Sequence, residues 1–568
     1  MFSSGITPKP ELDSPGRARE RLFGLSTIVG TTLLSIAVGL AARLLGFDGW
    51  RAVVLAFLTV PAALQTSTAL VRLMMRSILA PLEGAERTPV DPRGLPVVVP
   101  VILRSTRDID AVAACVEENL PHVRDAPLLL LVDGCDSETF DHPEDVAILY
   151  ALQACLAKGA GSSRVTILRR RRSYDPVDRV WRGWERKRGK IEEFCLLSRG
   201  SADTSFVDPL PSNLQGMEGF VTIDVDTRLL GTTVDRLAAA ACSHAAIVVP
   251  VIEDVRSCRP SIFERWQAPY WCTRPFKPRM SFSQEYLGSD LFFGKGLILI
   301  DRFLGCTIGR IAERTVLSHD HLEAMLAGAV SEPTAIIRED VPRSRRHWER
   351  RQHRWMRGDY QVVPWIVTGR LPVSGRVQLA NIVCAQAAAP ASLAVIGFIL
   401  HSLAWLNVGW IVTVSLILAR PTVLLVPLEA VRFLSDGRQT WRERLRDVGA
   451  LAVLELGSWL LAAAYLPRDA AMSVHAMTVV TWRRVVSGRG LLDWDDAAAG
   501  FPPSPWTGRL QIVVGLLLAG TGIGLPGAQG AAVLLLAGWF LLPVLLEAGQ
   551  GKALGRVAGM AAPTRSAT

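Results

Sequence analysis

The chain has 568 residues, 49 % of them hydrophobic and 20 % charged, with a mean hydropathy of +0.27. That composition is too apolar for a wholly soluble protein, and it excludes collagen-like, disulfide-scaffold and disordered classes. The 62 basic and 53 acidic residues leave a net charge of +9, which a membrane protein with basic cytoplasmic loops carries as readily as a nucleic-acid binder; no reader motif accompanies the charge, so no nucleic-acid partner is expected.

In chain order, a polar segment with Lys9, Arg17, Arg19 and Arg21 precedes an apolar run from about 25 to 45, too long for the core of a cleavable signal. Runs at about 24–46 and 52–72 predict a transmembrane hairpin. Arg72 and Arg76 follow it and basic residues precede it, so the positive-inside rule puts both flanks, and the domain that follows, in the cytoplasm. Most of the charge lies between about 85 and 375, the mark of a polar domain set between membrane segments. The nine cysteines, at 115, 135, 155, 195, 242, 258, 272, 306 and 384, form no CxxC pair and no metal-ligand spacing. They read as small buried hydrophobes in a reducing compartment.

From Gly94 short apolar runs, "LPVVVPVIL" and "APLLLLVD", alternate with helix-compatible segments at 107–120 and 143–158. This is the pattern of βαβ units and a mostly parallel sheet, whose ligands bind beyond the strand C-termini. The acids fall there: Asp133 ends "LLLLVD", Asp224 and Asp226 follow "GFVTI", and Asp320 sits in "TVLSHDHLEA" ahead of a helix-like stretch. Strand alternation puts residues i and i+2 on one face, so Asp224 and Asp226 can address one hard divalent cation and, through it, the two phosphates of a nucleotide sugar. Asp320 is a candidate general base, removing the acceptor hydroxyl's proton as the diphosphate departs. His319, His321 and Glu323 crowd it, yet neighbours at i, i+1 and i+2 splay over different helix faces, so zinc is not expected and His319 is read as orienting Asp320.

The basic segment 179–194 reads either as a solvated charged helix or as a Gly189-Lys190 approach to a phosphate or nucleobase. The arginine- and tryptophan-rich segment 345–365 reads as an interfacial amphipathic helix, with Arg354 available to a diphosphate and Trp355 to the apolar face of an acceptor sugar. Apolar runs follow at about 379–404, 408–433, 448–466, 509–525 and 530–547. Arg432, Arg438, Arg442, Arg444 and Arg446 mark the 434–447 loop as cytoplasmic, as Lys552, Arg556 and Arg565 do for the tail. Seven spans are clear and parity asks for eight, which makes 470–487 either the missing span or a surface-lying amphipathic helix.

Asp133, the Gly-Lys segment, the Asp-x-Asp, the His-Asp and the Arg-Trp run occur in the order of an inverting, membrane-embedded GT-A glycosyltransferase of the cellulose, chitin and hyaluronan synthase type. More closely, "WRGWERKRGKIEEFCLLSRGSADTSF", "FFGKG", "LSHDHLEA", "RRQHRWMRGDYQ" and "GLLDWDDAA" resemble the glycosyltransferase region of bacterial cyclic β-1,2-glucan synthases (family 84), from about 95 to 499. The resemblance implies UDP-glucose as donor, Mg²⁺ or Mn²⁺ as cofactor, a growing β-1,2-glucan as acceptor, and assembly at the cytoplasmic face of the bacterial inner membrane. It implies that Asp133 contacts uridine, Lys190 the nucleotide region, and Asp224 with Asp226 the metal-diphosphate. Asp320 would be the base, Arg354 would serve the donor, and Trp355, Gln352, Gly294, Lys295 and Gly296 would lie by the acceptor. The processive synthases carry Gln three residues before the Arg; here Arg351 stands there and the glutamine is Gln352, as in the cyclic-glucan variant.

The expected fold class is therefore α/β: a GT-A, Rossmann-like, mostly parallel sheet inserted in a polytopic α-helical transmembrane bundle. The expected organisation is a cytoplasmic tail and hairpin over 1–80, the transferase domain over 90–345 and an interface helix over 345–375. A membrane bundle over 376–550, with cytoplasmic loops at 434–447 and 488–508, and a tail over 551–568 complete it. Cyclic glucan synthases are several times longer and carry a phosphorylase-like domain, so cyclisation is not expected of this chain alone, which leaves room for a separate cyclising or export partner. Two rival readings stand beside glucan synthesis: single sugar addition to a lipid-linked or cell-envelope acceptor, and an inert scaffold for glucan export.

Overall fold

The computed structural model describes residues 14–402, except 83–85, 160–161, 257–259, 268–280, 343 and 369–370, together with 440–493 and scattered positions within 427–434 and 513–543. The runs expected at 408–433, 509–525 and 530–547, the 488–508 loop past residue 493 and the 551–568 tail lie outside the continuously described residues.

Three helices, α1 (Ser14–Leu44), α2 (Gly49–Leu58) and α3 (Val60–Ile78), come first. Strand β1 (Val97–Leu103) then opens the sheet, and helices α4 (Arg107–Asn119) and α5 (Asp145–Leu156) connect it to β2 (Leu128–Gly134) and β3 (Val165–Arg169). A two-stranded ribbon, β4 (Ser173–Asp175) and β5 (Val180–Arg182), leads into α6 (Arg186–Ser198). After it come β6 (Gly219–Thr222), β7 (Thr227–Leu229), α7 (Thr233–Ala239), β8 (Ile247–Val255), α8 (Ile262–Trp266), β9 (Gly296–Leu299), α9 (Ile300–Thr307), α10 (Asp320–Ala327) and β10 (Ala329–Asp340). Helices α11 (Arg345–Gln361), α12 (Val363–Val367), α13 (Val373–Ser402) and α14 (Trp441–Trp482) complete the described elements.

Eight strands form one sheet in the order β3-β2-β1-β6-β9-β8-β10-β7. The β1/β2, β2/β3, β1/β6 and β8/β10 pairs are parallel, and β9 and β7 run antiparallel to their neighbours. β1 is apolar on both faces because both are covered. Val97 and Val99 pack with Val112 of α4 and Leu237 of α7, while Val98 packs with Ile191 and Phe194 of α6 on the other side. This mostly parallel sheet agrees with the α/β expectation, and the C-termini of β1, β2, β3, β6, β8 and β10 share one edge.

Helices α1, α13 and α14 each contain a stretch long and apolar enough to cross a bilayer. The second arm of the expected hairpin is bent instead: α2 and α3 meet at 55°. Pro61, in the first turn of α3, cannot donate to the preceding turn, and the Thr59 hydroxyl donates to the Leu55 carbonyl at 2.9 Å. A second difference lies in α14. The stretch 470–487 is neither a separate span nor a separate surface helix, but the continuation of the helix that starts at Trp441. The helix passes through Pro467, and the Ala463 carbonyl four residues earlier accepts from Trp539 Nε1 at 2.5 Å.

Helix α11 departs from a surface-lying amphipath, because it is largely inside the protein: Trp348, Glu349, His353 and Arg357 are all buried. Its cations find carboxylates on α11 and α14. Arg345 donates to Glu349 at 2.9 Å and pairs with Asp469, and Arg468 closes on Glu349 with Nε 2.6 Å from Oε1. Tyr360 and Ser473 share a hydrogen bond at 2.7 Å, and Gln352 donates to Gln386 of α13 at 2.8 Å. Glu349→Ala would leave two buried guanidiniums without their shared partner. A loss of about 3–5 kcal/mol is expected, read as a lower unfolding midpoint of the detergent-solubilised chain.

Candidate active site

β2 carries Asp133 to the C-terminal edge of the sheet, where it is buried. Arg170, directly after β3, donates to both its oxygens, at 2.7 Å and 2.8 Å. Lys190 of α6 stands 3.0 Å from Oδ2 and donates to the Val101 carbonyl at 2.6 Å. Burial pushes Asp133 up, but Arg170 and then Lys190 outweigh it and hold the carboxyl below its usual range. Burial, with Arg170 beside it, pushes Lys190 down to about 8 even though Asp133 opposes the shift. The basic segment is thus no solvated face: Arg186, Arg188, Gly189 and Lys190 are buried against the sheet edge.

Asp224 and Asp226 follow β6, and the structure adds Glu339, which the sequence reading missed. The antiparallel register sets Glu339 of β10 opposite Thr227, and the Thr227 hydroxyl donates to Glu339 at 3.0 Å while accepting from the Asp224 amide at 3.3 Å. Asp224, Asp226 and Glu339 each offer an oxygen, all within 4.8 Å of one another. Glu339 Oε2 is buried and accepts no hydrogen bond. An all-oxygen donor set with an unsatisfied buried carboxylate oxygen fits a hard divalent cation such as Mg²⁺ or Mn²⁺.

Three cations face these carboxylates. Lys187 Nζ donates to Asp224 Oδ1 at 2.6 Å and to the Gly294 carbonyl at 3.0 Å. Lys295 Nζ lies 3.2 Å from Asp224 Oδ2 and 2.6 Å from Glu339 Oε1. Arg351 of α11 reaches Asp226 at 3.7 Å and Glu339 at 3.6 Å. Burial would raise Asp224, but Lys187 and Lys295 hold it far below the usual range, and Asp224 and Glu339 raise Lys295 against its own desolvation. Lys295, expected beside an acceptor, therefore lies among the Asp-x-Asp carboxylates, and Arg351 joins it there. Lys187 and Glu339 were missed, and Arg351 was noted only as a departure from the processive motif, because nothing local marks where they meet: they converge from α6, β10 and α11. The Lys187/Lys190 spacing, one helical turn, was the available signal that both face one edge.

Asp320 opens α10 beside this group. Gly294 has φ +75°, and a Cβ there would stand 2.7 Å from Lys187 Nζ and 3.1 Å from Asp320 Oδ2, so Lys187 and Gly294 lie between Asp224 and Asp320. Gly296 begins β9, where any side chain would strike the Val248 carbonyl of β8. His319 Nδ1 is 3.3 Å from Asp320 and 3.0 Å from Glu323, one turn on. Burial alone would lower His319, but Glu323 and then Asp320 raise it above its usual value. His321 points elsewhere, edge-on to Phe293 at 5.4 Å, as helical splay requires. His319, Asp320 and Glu323 converge within 4.8 Å, because Glu323, four residues on, shares the face of His319.

The remaining expected residues lie along α11. Trp355 is half-buried, with the Arg351 guanidinium 4.7 Å above its ring and Trp348 edge-on at 6.1 Å. Arg354 is half-buried one residue earlier. Gln352 is buried and faces Gln386. Cys135, His142 and Asp145 also gather within 4.8 Å, but Arg172 already pairs with Asp145 and donates to the Cys135 carbonyl.

The strand ends of this α/β sheet thus gather carboxylates, and Asp133, Asp224, Asp226 and Glu339 each lie beside a lysine or arginine. Among known proteins, the chain is 29 % identical over 516 residues to the cyclic beta-(1,2)-glucan synthase NdvB of Rhizobium meliloti (strain 1021), covering 82 % of this chain and 18 % of that protein. The chain thus spans about a fifth of the length of that relative, and the resemblance to the glycosyltransferase region of cyclic β-1,2-glucan synthases is borne out. Among solved structures, it is similar to the mannosyltransferase PcManGT from Pyrobaculum calidifontis in complex with GDP-Man and Mn²⁺, at 14 % identity and a TM-score of 0.35, over 71 % of this chain and 99 % of that one. No family model matches.

Two outcomes test this geometry. Gly294→Ala places a Cβ in left-handed backbone and against Lys187, so it should cost about 1–2 kcal/mol in unfolding and loosen the Lys187 pair. Asp133 has its folded pKa below its unfolded one, so it stabilises at neutral pH, and that contribution is lost as pH falls through the folded value. Arg170→Met should move the acid-unfolding midpoint, followed by tryptophan fluorescence, to higher pH.

Proposed function

We propose that the chain is an inverting membrane glycosyltransferase that transfers glucose from UDP-glucose, repeatedly, to a growing β-1,2-linked glucan. Its similarity to a glucan synthase supports glycosyl transfer as the reaction class. The observation that carries the mechanism is the closeness of Asp224 and Asp320: Lys187 donates to Asp224 and to the Gly294 carbonyl, and Asp320 lies so near Gly294 that a Cβ there would stand 3.1 Å from its Oδ2. A donor diphosphate at Asp224 and an acceptor hydroxyl at Asp320 would then be neighbours.

Asp133, Arg170 and Lys190 form the nucleoside end of the cleft. Asp224, Asp226 and Glu339 would hold Mg²⁺ or Mn²⁺, which supplies charge neutralisation for the departing diphosphate. Lys187, Lys295 and Arg351 donate to the phosphate oxygens as negative charge develops on them. Asp320 takes the proton from the acceptor hydroxyl as the new glycosidic C–O bond forms and the bond to the diphosphate breaks, which inverts an α-linked donor to a β product. Asp320 Oδ1 is buried and lies 3.3 Å from His319 Nδ1. His319, held by Glu323, keeps the carboxyl oriented. The ring of Trp355 offers a face to the acceptor sugar, and Arg354 adds a second guanidinium toward the donor. We assign the transferase domain to 90–345 at the cytoplasmic face of the inner membrane, with α1, the bent α2/α3 pair, α13 and α14 in or against the bilayer.

The assay is the detergent-purified full chain with UDP-glucose and Mn²⁺ or Mg²⁺, its products sized and their linkage read by NMR. A size ladder of β-1,2-glucan is expected; one-sugar products would favour single addition, and no turnover would favour the inert scaffold. Asp320→Asn should lower transfer by on the order of 10²–10⁴-fold with UDP binding retained. Near-normal turnover in that variant would remove Asp320 as the base.

A further inference from the structure

Buried or half-buried carboxylates persist as ions only when a counter-charge accompanies them. Here the match is one for one: Asp224, Asp226 and Glu339 face Lys187, Lys295 and Arg351. Lys295 is the most committed of the three. It is buried, lies on the GKG turn that Gly294 and Gly296 shape, and bridges Asp224 and Glu339, two of the three carboxylates that would ligate a metal.

We propose that Lys295 is a built-in counter-cation standing in the divalent-ion position, so that the site admits the metal only together with a nucleoside diphosphate. The inference rests on the donor and metal reading above. In the resting site the charges cancel. A divalent cation arriving alone adds two positive charges beside three cations, and a diphosphate arriving alone adds two negative charges beside three carboxylates. Arriving together they would restore neutrality: Asp224, Asp226 and Glu339 would hold the metal, and the ammonium of Lys295, with Lys187 and Arg351, would meet the phosphate oxygens. Such coupling is reciprocal by linkage, so the nucleotide tightens the metal as much as the metal tightens the nucleotide. Lys295 is on this account a positioning residue, selecting the metal-loaded donor over free metal. Arg351 acts from the solvent side of the same group and also covers the Trp355 ring, so its release would clear the acceptor-facing aromatic surface.

The distinguishing quantity is the affinity for Mn²⁺ without nucleotide, measured by calorimetric titration of the full chain in detergent. Removing a cation that merely supports the fold would leave that affinity unchanged or weaker. Removing one that occupies the metal position should strengthen it. Lys295→Met is expected to bind Mn²⁺ alone at least about tenfold tighter than the natural chain, and its melting temperature should rise with added Mn²⁺ where that of the natural chain does not. Arg351→Met, at a partly exposed position, should move Mn²⁺ affinity in the same direction and provides the test if Lys295→Met does not fold. Unchanged or weaker Mn²⁺ binding in both variants, with Mn²⁺ and UDP still bound jointly by the natural chain, overturns the counter-cation role and leaves the transferase reading standing. Failure of the natural chain to bind Mn²⁺ and UDP in any combination overturns both.

Discussion

Everything at the sheet edge depends on one constraint: a carboxylate brought to the end of a covered strand must find a cation or lose its charge. Asp133 shows it most clearly. Its side chain is 4 % exposed and that of Arg170 is fully buried, so the pair is held together inside the protein, where neither ion would be tolerated alone. Lys190 completes the group and ties α6 to β1 through the Val101 carbonyl. With α6 fixed in this way, its first turn presents Lys187 to Asp224. The same ion pairs that satisfy the acids therefore assemble the cleft.

A second consequence is that the α/β sheet domain and the helices are not separable layers joined by a linker. Arg345 of α11 pairs with the internal carboxylates Glu349 and Asp469, and α14 contributes Arg468 and Asp469 to that network. The segment following α14 continues inward: Gln361 donates to the Leu491 carbonyl, Arg357 to that of Asp493, and Arg186 of α6 to that of Leu492. Residues 491–493 are thereby tied to both α11 and α6. A movement in the apolar helices would be felt at the sheet edge, through hydrogen bonds rather than through a hinge.

The site was legible in sequence wherever one strand end or one short spacing sufficed. Asp133 after a five-residue apolar run and the i, i+2 pair of Asp224 and Asp226 needed only strand periodicity to be noticed. Lys190 was noticed as a cation, but not as the partner of Asp133. Glu339 lies in an ordinary β-strand, and only the register of β10 against β7 sets it opposite Thr227. Arg351 stood out as a departure from a familiar motif, and its reach to Asp226 emerged only once α11 was packed across the cleft.

The helices divide in the same way. Apolar length marks α1, α13 and α14 as long enough for a bilayer, because hydropathy is a property of a continuous segment. It does not report that α2 and α3 bend at Thr59, or that α14 runs on through Pro467 with Trp539 taking up the freed carbonyl. By itself the sequence determined which residues carry charge, which segments are apolar enough to be covered, and that acids end the strands. The tertiary structure alone decided which cation neutralises which acid, since Coulomb pairing depends on distance in space, and residues more than a hundred positions apart meet only when the sheet and its covering helices have closed.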